Sequence, residues 1–410
     1  MSILSAHNAG PLLMMLALTL RVLAVQSHPI SRSLFADMNN YRRIADDILA
    51  GNWAPAHFLP AIGYSLVVAA LKQISTNWAG AVGMYHIVIS TATVWLVWKA
   101  AERAFGPRVG RWSLFVAAVH VPWIVLTTVN LSETTFTFQM ALLVWAGLEV
   151  VERPTVRWSA LWGLIFVAAF WVKGTHAFLG PLFLLAILTM RRWSWASMTR
   201  VAVPICTVVG AGLILHGVLT YRTIGVFRMS SLAGGLNFIE GKCPSKRNYD
   251  PNGSTWLSPI YAQLGMTSAK IWDRPFTDSG YYMGEGLKCI QRNPAVLLVS
   301  VENVPFLFTG NFMWPATQFS VRPYVRLYEL FFGPWLMTGL AMWMAARRPW
   351  RRDLHGEAIA WALPVIALAL CVYVFKSEIR FRVPFDVWLI PLAMSGWLAV
   401  RDRFAGEAPQ

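Results

Sequence analysis

Charge is what this chain has least of. Only 13% of its 410 residues are Asp, Glu, Lys or Arg, about half of the ~25% usual for a soluble globular domain. Cysteine is also scarce, at four residues. No C-x-x-C pair or clustered Cys/His spacing is present, so no metal site is expected. A Walker A loop, H-E-x-x-H and G-x-S-x-G are all missing, which excludes the common nucleotide, zinc-protease and serine-hydrolase signatures. There is no D-x-D pair of the kind that holds a metal–nucleotide-sugar diphosphate. No Ser-, Pro- or Gly-rich linker sets off a soluble domain, and no internal repeat is visible.

Apolar sequence is abundant instead. Hydrophobic residues make up 56% of the chain, and apolar runs recur near the ~20 residues that cross a bilayer. Many of the 21 Trp stand at the ends of these runs, where an indole suits the headgroup level. The pattern predicts an all-α polytopic membrane protein with about ten transmembrane helices, over residues 9–26, 78–101, 111–130, 133–151, 158–173, 175–190, 200–220, 323–346, 357–375 and 384–400. The net charge of +15 is spread between spans and forms no single patch, which argues for a bilayer partner and against nucleic acid. Lys99, Arg103, Arg108, Arg111, Arg153, Arg157, Arg191, Arg192, Arg200, Arg347, Arg348, Arg351, Arg352, Arg401 and Arg403 then share one side. That side reads as cytoplasmic, with both termini on it.

This topology requires Leu59–Ile74 to lie at the outer surface without crossing, and Ala295–Phe312 to be interfacial or re-entrant. The chain reads as one membrane domain, 1–410, with an outer-face cap made of the first loop (27–77) and a larger loop (221–296), followed by C-terminal spans (323–410). Cys243 and Cys289 both fall in the larger outer loop and form a candidate disulfide if that side is oxidising. Cys206 and Cys371 lie in spans and read as packing.

The first loop carries the acids that need explaining. On the helix expected over Asn39–Gly51, the i,i+4 spacing pairs Arg42 with Asp46 and Arg43 with Asp47. Tyr41, Ile44, Ala45, Ile48 and Leu49 supply its apolar face. Asp37 has no basic residue four positions away. Its residue context leaves two readings open: a cap for the first helical turn, or a catalytic carboxylate.

The order Asp37, Tyr41, Ala45, Gly51 and then P-A-I-G-Y-S (Pro60–Ser65) resembles the GT-C superfamily of integral-membrane glycosyltransferases. More narrowly, it is similar to the protein O-mannosyltransferase and aminoarabinose-transferase branch, whose members take a sugar from a polyprenyl-phosphate carrier. Leu131-Ser132-Glu133 stands where that branch has an acid at the outer end of a span. Phe227–Gly241 is similar to its outer-loop stretch with Gly-Gly-x-Asn, which contributes Asn237. Tyr281–Pro294 resembles the end of that loop, and Glu378–Pro384 (E-I-R-F-R-V-P) matches the late R-[YF]-R-x-P element. The resemblance departs at Ala36, Met38 and Ser65, where the branch usually has Gly, an acid and Pro. These departures leave the sugar and the acceptor open.

The resemblance implies a GT-C-like helical bundle with two juxtamembrane helices in the first outer loop, Tyr41–Asn52 and Leu59–Ile74. It implies transfer of a monosaccharide to a protein, lipid or glycan acceptor on the periplasmic face of a bacterial inner membrane, with no cofactor beyond the lipid-linked donor. Transfer from a lipid phosphate needs one base for the acceptor proton, since phosphate leaves as a stable anion. Asp37 is the expected base. A second carboxylic acid is not required to protonate the leaving oxygen. Cations must stabilise the phosphate, and Arg380, Arg382 and Lys173 are the donor-binding candidates. The competing reading of the two arginines is snorkelling at a span end. Glu133, Tyr41, His57 and Asn237 are the supporting candidates. Two other classes compete: a lipid-linked glycan ligase or polymerase, and a polytopic lipid or sugar transporter. A transporter would place charges in mid-span.

Overall fold

The computed structural model describes residues 9–32, 34, 36–189, 194–243, 277–309, 322–346 and 355–405. Among these every regular element is helical. In chain order the helices are α1 (Ala9–Ser27), α2 (Ala36–Leu49), α3 (Gly63–Ile74), α4 (Trp78–Phe105), α5 (Pro107–Ala118) and α6 (Val121–Leu126). Then come α7 (Ser132–Glu152), α8 (Val156–Val172), α9 (Leu179–Thr189), α10 (Trp195–Ile224), α11 (Ala233–Lys242) and α12 (Ser279–Arg292). The last are α13 (Ala295–Val299), α14 (Asn303–Thr309), α15 (Arg322–Ala346), α16 (His355–Val374), α17 (Ile379–Arg382) and α18 (Asp386–Phe404).

Among the described residues, five helical runs are long and apolar enough to cross a bilayer: Ala9–Ser27, Trp78–Phe105, Ser132–Glu152, Trp195–Ile224 and Ile379–Phe404. Shorter apolar helices, including Val156–Val172 and Leu363–Val374, pack among them. The bundle buries one large apolar core that runs from α1 to α18. Its outward faces are apolar too: Leu12, Met15 and Leu23 on α1, Ile214 and Leu215 on α10, and Leu327, Leu330 and Phe331 on α15 are all exposed. Extended apolar surface of this kind has no place in water and marks the lipid-facing side of an integral membrane protein.

Two helices of the first loop, α2 and α3, stand between α1 and α4 in the chain, and neither is long enough to cross. At 12 residues, α3 spans about 18 Å at 1.5 Å per residue, well short of the ~30 Å hydrocarbon core. It lies across the end of α8, so closely that a Cβ on Gly63 would fall 2.7 Å from the Trp171 carbonyl. α2 begins at Ala36, three residues earlier than periodicity places it, and ends at Leu49, two residues before Gly51, whose φ of +73° suits glycine. Its apolar stripe of Met38, Tyr41, Ile44 and Ala45 is buried. Met38, Tyr41 and Ala45 belong to the same core as Tyr64, Val68 and Ala69 of α3, so the stripe faces protein and not the membrane surface. Leu49 at its end is exposed.

The stretch 111–130 does not form one continuous helix. α5 ends at Ala118, His120 is extended, and α6 restarts with Pro122 in its first turn. A proline lacks the N–H that would continue the preceding ladder, which is the local reason for the break. The segment 295–309 is broken likewise, into α13, a short 3-10 turn and α14. Asn303 at the start of α14 donates to the Val372 carbonyl and accepts from Ser377 through its own carbonyl. Residues 310–312 of that stretch lie outside the described residues.

The two ends of the bundle carry different charge arrangements. At one end, Arg103 closing α4 pairs with Glu149 and Glu152 closing α7, and Arg108 pairs with Asp402 near the end of α18. At the other end, the starts of α2, α7 and α17 and the end of α8 converge on the site described next.

Candidate active site

Four segments far apart in sequence bring one charged side chain each to the same rim. Asp37 comes from the first turn of α2, Glu133 from the first turn of α7, Lys173 from the residue after α8, and Arg380 from α17. Arg380 stands between the two acids, with Nη1 3.6 Å from Asp37 Oδ2 and 3.8 Å from Glu133 Oε1. Lys173 Nζ donates to the same Glu133 oxygen at 2.7 Å. Both cations lie over the ring of Phe381, at 5.3 Å for Lys173 and 5.7 Å for Arg380.

Exposure separates the two acids. The Glu133 side chain is 2% exposed, whereas that of Asp37 is 53% exposed. Glu133 is a buried anchor that organises the cations. Asp37 reaches into open space, and its 3.6 Å pair with Arg380 is looser than a charge-assisted hydrogen bond of about 2.7–2.9 Å.

The network continues behind Arg380. Its Nε donates to Glu378 at 2.5 Å, and Lys376 pairs with both Glu378 (3.2 Å) and Glu240 of α11 (2.8 Å). Burial works against the charge on Lys376, but Glu240 and Glu378 outweigh it and hold its pKa above the ordinary lysine value. Burial likewise works against the Glu378 carboxylate, yet Arg380 and Lys376 hold it below the usual range. Both groups therefore stay ionised at neutral pH. Glu240 and Lys376 were not singled out from the sequence. Glu240 lies inside the Phe227–Gly241 stretch and Lys376 just before Glu378–Pro384, and the pairing that joins them spans elements far apart in the chain.

Arg382 departs from expectation. Only two residues after Arg380, it points into the core and is 0% exposed. Its guanidinium bonds Asp386 through Nε at 3.0 Å, Glu329 of α15 through Nη2 at 2.9 Å, and the Leu307 carbonyl through Nη1 at 3.1 Å. Two carboxylates and a carbonyl occupy it from all sides, so it does not present a fork to the rim as a donor-phosphate ligand would. The adjacent His120 places Nε2 3.2 Å from Asp386 and pairs its Nδ1 with Tyr328 at 2.8 Å.

The supporting residues divide as well. Tyr41 is buried, and its hydroxyl donates to Ser132 at 3.2 Å; Ser132 in turn donates to Glu133. Burial, then the nearby charges of Glu133 and Asp37, push the Tyr41 hydroxyl above the ordinary tyrosine range, so it remains a neutral donor. His57 is turned to another task. Its Nε2 pairs with Asp47 at 2.9 Å while its Nδ1 accepts from the Ala54 N–H. Asn237 is half-buried on α11, one turn before Glu240.

Asp46 and Asp47 have partners other than the expected ones. Asp46 pairs with Lys72 of α3, and Asp47 with His57. Among the described residues no ion pair joins them to Arg42 or Arg43; the Arg42 guanidinium donates to Asn39 instead. Cys243 and Cys289 are joined in a disulfide with Cα atoms 5.5 Å apart, tying the end of α11 to α12. Among the described residues no group of three or more His, Cys, Asp or Glu side chains converges as a metal set.

Comparison with known proteins agrees with this architecture. Residues 60–216 match the family model for dolichyl-phosphate-mannose-protein mannosyltransferase. No curated protein sequence matches the chain. Among solved structures, the archaeal oligosaccharyltransferase AglB from Archaeoglobus fulgidus, in complex with an inhibitory peptide and a dolichol-phosphate, superposes with a TM-score of 0.52 at 13% identity. That match covers 97% of this chain and 50% of AglB, so the chain spans about half the length of that relative. ArnT from Cupriavidus metallidurans, bound to undecaprenyl phosphate, gives a TM-score of 0.41 at 14% identity, over 96% of this chain and 79% of ArnT. The chain is thus an integral-membrane helical bundle similar in fold to AglB, and its residues 60–216 are similar to the dolichyl-phosphate-mannose-protein mannosyltransferase family.

Proposed function

We propose that the chain is an inverting glycosyltransferase that moves a monosaccharide from a polyprenyl-phosphate carrier to a protein, lipid or glycan acceptor. The site would face the periplasm from a bacterial inner membrane, with the Arg103 end of the bundle and both termini in the cytoplasm. The observation that carries this reading is the position of Arg380 between an open carboxylate, Asp37, and a buried one, Glu133, at one end of a membrane bundle.

In this reading Asp37 accepts the proton of the acceptor hydroxyl as its oxygen attacks the anomeric carbon. The bond from that carbon to the phosphate oxygen breaks, and the electron pair leaves with the polyprenyl phosphate. Attack opposite the leaving group inverts the anomeric centre. Arg380 and Lys173 stabilise the charge that develops on the phosphate, in a rim where water screens it poorly. Both cations are held by carboxylates. A donor phosphate must therefore compete with Asp37 for Arg380, and its arrival loosens Asp37 for the acceptor. Supporting this order, the Asp37 contact is the longer and more exposed one, while the 2.7 Å bond of Lys173 to Glu133 is short and buried.

The test is Asp37→Asn in protein reconstituted into lipid nanodiscs. Removing a general base is expected to lower turnover by roughly 10²–10⁴-fold while binding of undecaprenyl phosphate and the melting temperature stay as in the wild type. Full turnover in a folded Asp37→Asn protein would end the base assignment.

A further inference from the structure

The segment Asn130-Leu131-Ser132-Glu133 presents Glu133 to Arg380 and Lys173, and it also grips the helix that carries Asp37. Asn130 is fully buried between α6 and α7. Its side-chain Nδ2 donates to the main-chain carbonyl of Met38, the residue after Asp37, at 2.8 Å. The Asn130 Oδ1 accepts from the Tyr64 hydroxyl at 2.9 Å, and the Tyr64 oxygen lies 3.0 Å from His86 Nε2.

The direction of this chain follows from its far end. A carbonyl can only accept, so Asn130 must turn its NH₂ toward Met38 and its oxygen toward Tyr64. Tyr64 then spends its one proton on Asn130, and its oxygen faces Nε2 of His86, whose other ring nitrogen lies 3.4 Å from the Thr127 carbonyl. His86, Tyr64, Asn130 and Met38 are all 0% exposed, so no water competes for these bonds. A second tie from the same segment, Ser132 to Tyr41, holds α2 one turn further on. By contrast, the Asp37 carboxylate itself is half in solvent, with a loose partner. Its placement is therefore set through the backbone of its helix more than through contacts of its own side chain.

We infer that Asn130 is a positioning residue for the transfer reaction: through the Met38 carbonyl, and backed by Tyr64 and His86, it fixes the first turn of α2 and so the place of the Asp37 carboxylate opposite Arg380. This inference rests on the reading of Asp37 as the base. The bond runs to the backbone beside Asp37 and not to either cation. Loss of the bond should therefore disturb the acceptor-proton geometry and spare the phosphate grip of Arg380 and Lys173. Displacing a catalytic group by about 1 Å can cost up to roughly 100-fold in rate.

The experiment uses full-length protein in nanodiscs, undecaprenyl-phosphate mannose as the donor probe, and the acceptor pool of a native membrane extract. Asn130→Leu keeps the forked side-chain shape and removes the donor. It is expected to lower kcat by roughly 10- to 100-fold, with KM for the donor and the affinity for undecaprenyl phosphate within about twofold of wild type. Tyr64→Phe keeps the ring and removes the hydroxyl; it is expected to lower kcat by roughly three- to tenfold, and it serves if Asn130→Leu does not fold. The double variant Asp37→Asn/Asn130→Leu should be no slower than Asp37→Asn alone, because both act at one group. Wild-type kcat in the folded Asn130→Leu and Tyr64→Phe proteins, or a raised KM with kcat unchanged, overturns the positioning role. If Asp37→Asn is inactive while these two keep full rate, only the positioning role falls. If Asp37→Asn keeps full rate, the base assignment and the positioning role fall together.

Discussion

Arg380 and Arg382 stand two residues apart on one helical turn, in the same E-I-R-F-R-V-P element, and they live in different physical worlds. Arg380 is at the rim, partly exposed, shared among Asp37, Glu133 and Glu378. Arg382 is sealed in the core, satisfied by Glu329, Asp386 and the Leu307 carbonyl. Successive-but-one residues on a helix point about 200° apart at 3.6 residues per turn. One of the two must therefore face inward when the turn is packed against the bundle. The difference teaches that a charged motif can divide into a part that meets ligand and a part that anchors it. The buried guanidinium fastens the turn to α14 and α15 and so holds Arg380 against Asp37 and Glu133.

This contrast can be broken by substitution. Removing the buried member should have the largest effect on stability. Arg382→Ala leaves two carboxylates in the core without their cation, and losing one partner of a buried ion pair typically costs about 3–5 kcal/mol. Thermal unfolding in detergent should show a large fall in melting temperature. A melting temperature unchanged from wild type would mean that the Glu329 and Asp386 contacts do not hold the turn.

Arg380→Ala should do the reverse. It is expected to weaken undecaprenyl phosphate binding by roughly 10- to 100-fold, the size of one lost charge-assisted contact to an anion, with a far smaller change in melting temperature than Arg382→Ala. Equal destabilisation by the two substitutions would erase the distinction between rim and core. An unchanged Kd for undecaprenyl phosphate would remove Arg380 from the donor site.

The smallest effect sharpens the comparison from outside. Lys72→Ala breaks the pair with Asp46, whose side chain is half exposed. Solvent screening limits such a pair to about 0–1 kcal/mol. Turnover should be unaffected and the melting temperature nearly so; a loss of activity would show that the α2–α3 contact feeds into the site.

Much of the architecture was legible in the residues. Apolar runs marked the long helices, and the 3.6-residue spacing of Tyr41, Ile44, Ala45 and Ile48 marked α2. The topology that keeps Leu59–Ile74 from crossing fits an α3 of only 12 residues. Four of the charged residues singled out in advance, Asp37, Glu133, Lys173 and Arg380, do converge at one rim. The pairing partners were less legible. Asp46 takes Lys72 and Asp47 takes His57 in place of arginines on their own helix, because loop closure brings α3 and the 55–58 turn against α2. Asn130 carried no signal beyond standing next to Leu131-Ser132-Glu133. Its partner is a backbone carbonyl 92 residues away, and a carbonyl has no residue type to read.

The sequence by itself determined that this chain is helical and that it belongs in a bilayer. Hydropathy and periodicity act locally, and in hydrocarbon every backbone group must find its bond within a helix. Only the tertiary structure decided which charges meet and which of two neighbouring arginines faces the open rim. Those choices depend on where distant helices pack, and a pair of charges is strong or weak according to burial that no local pattern encodes.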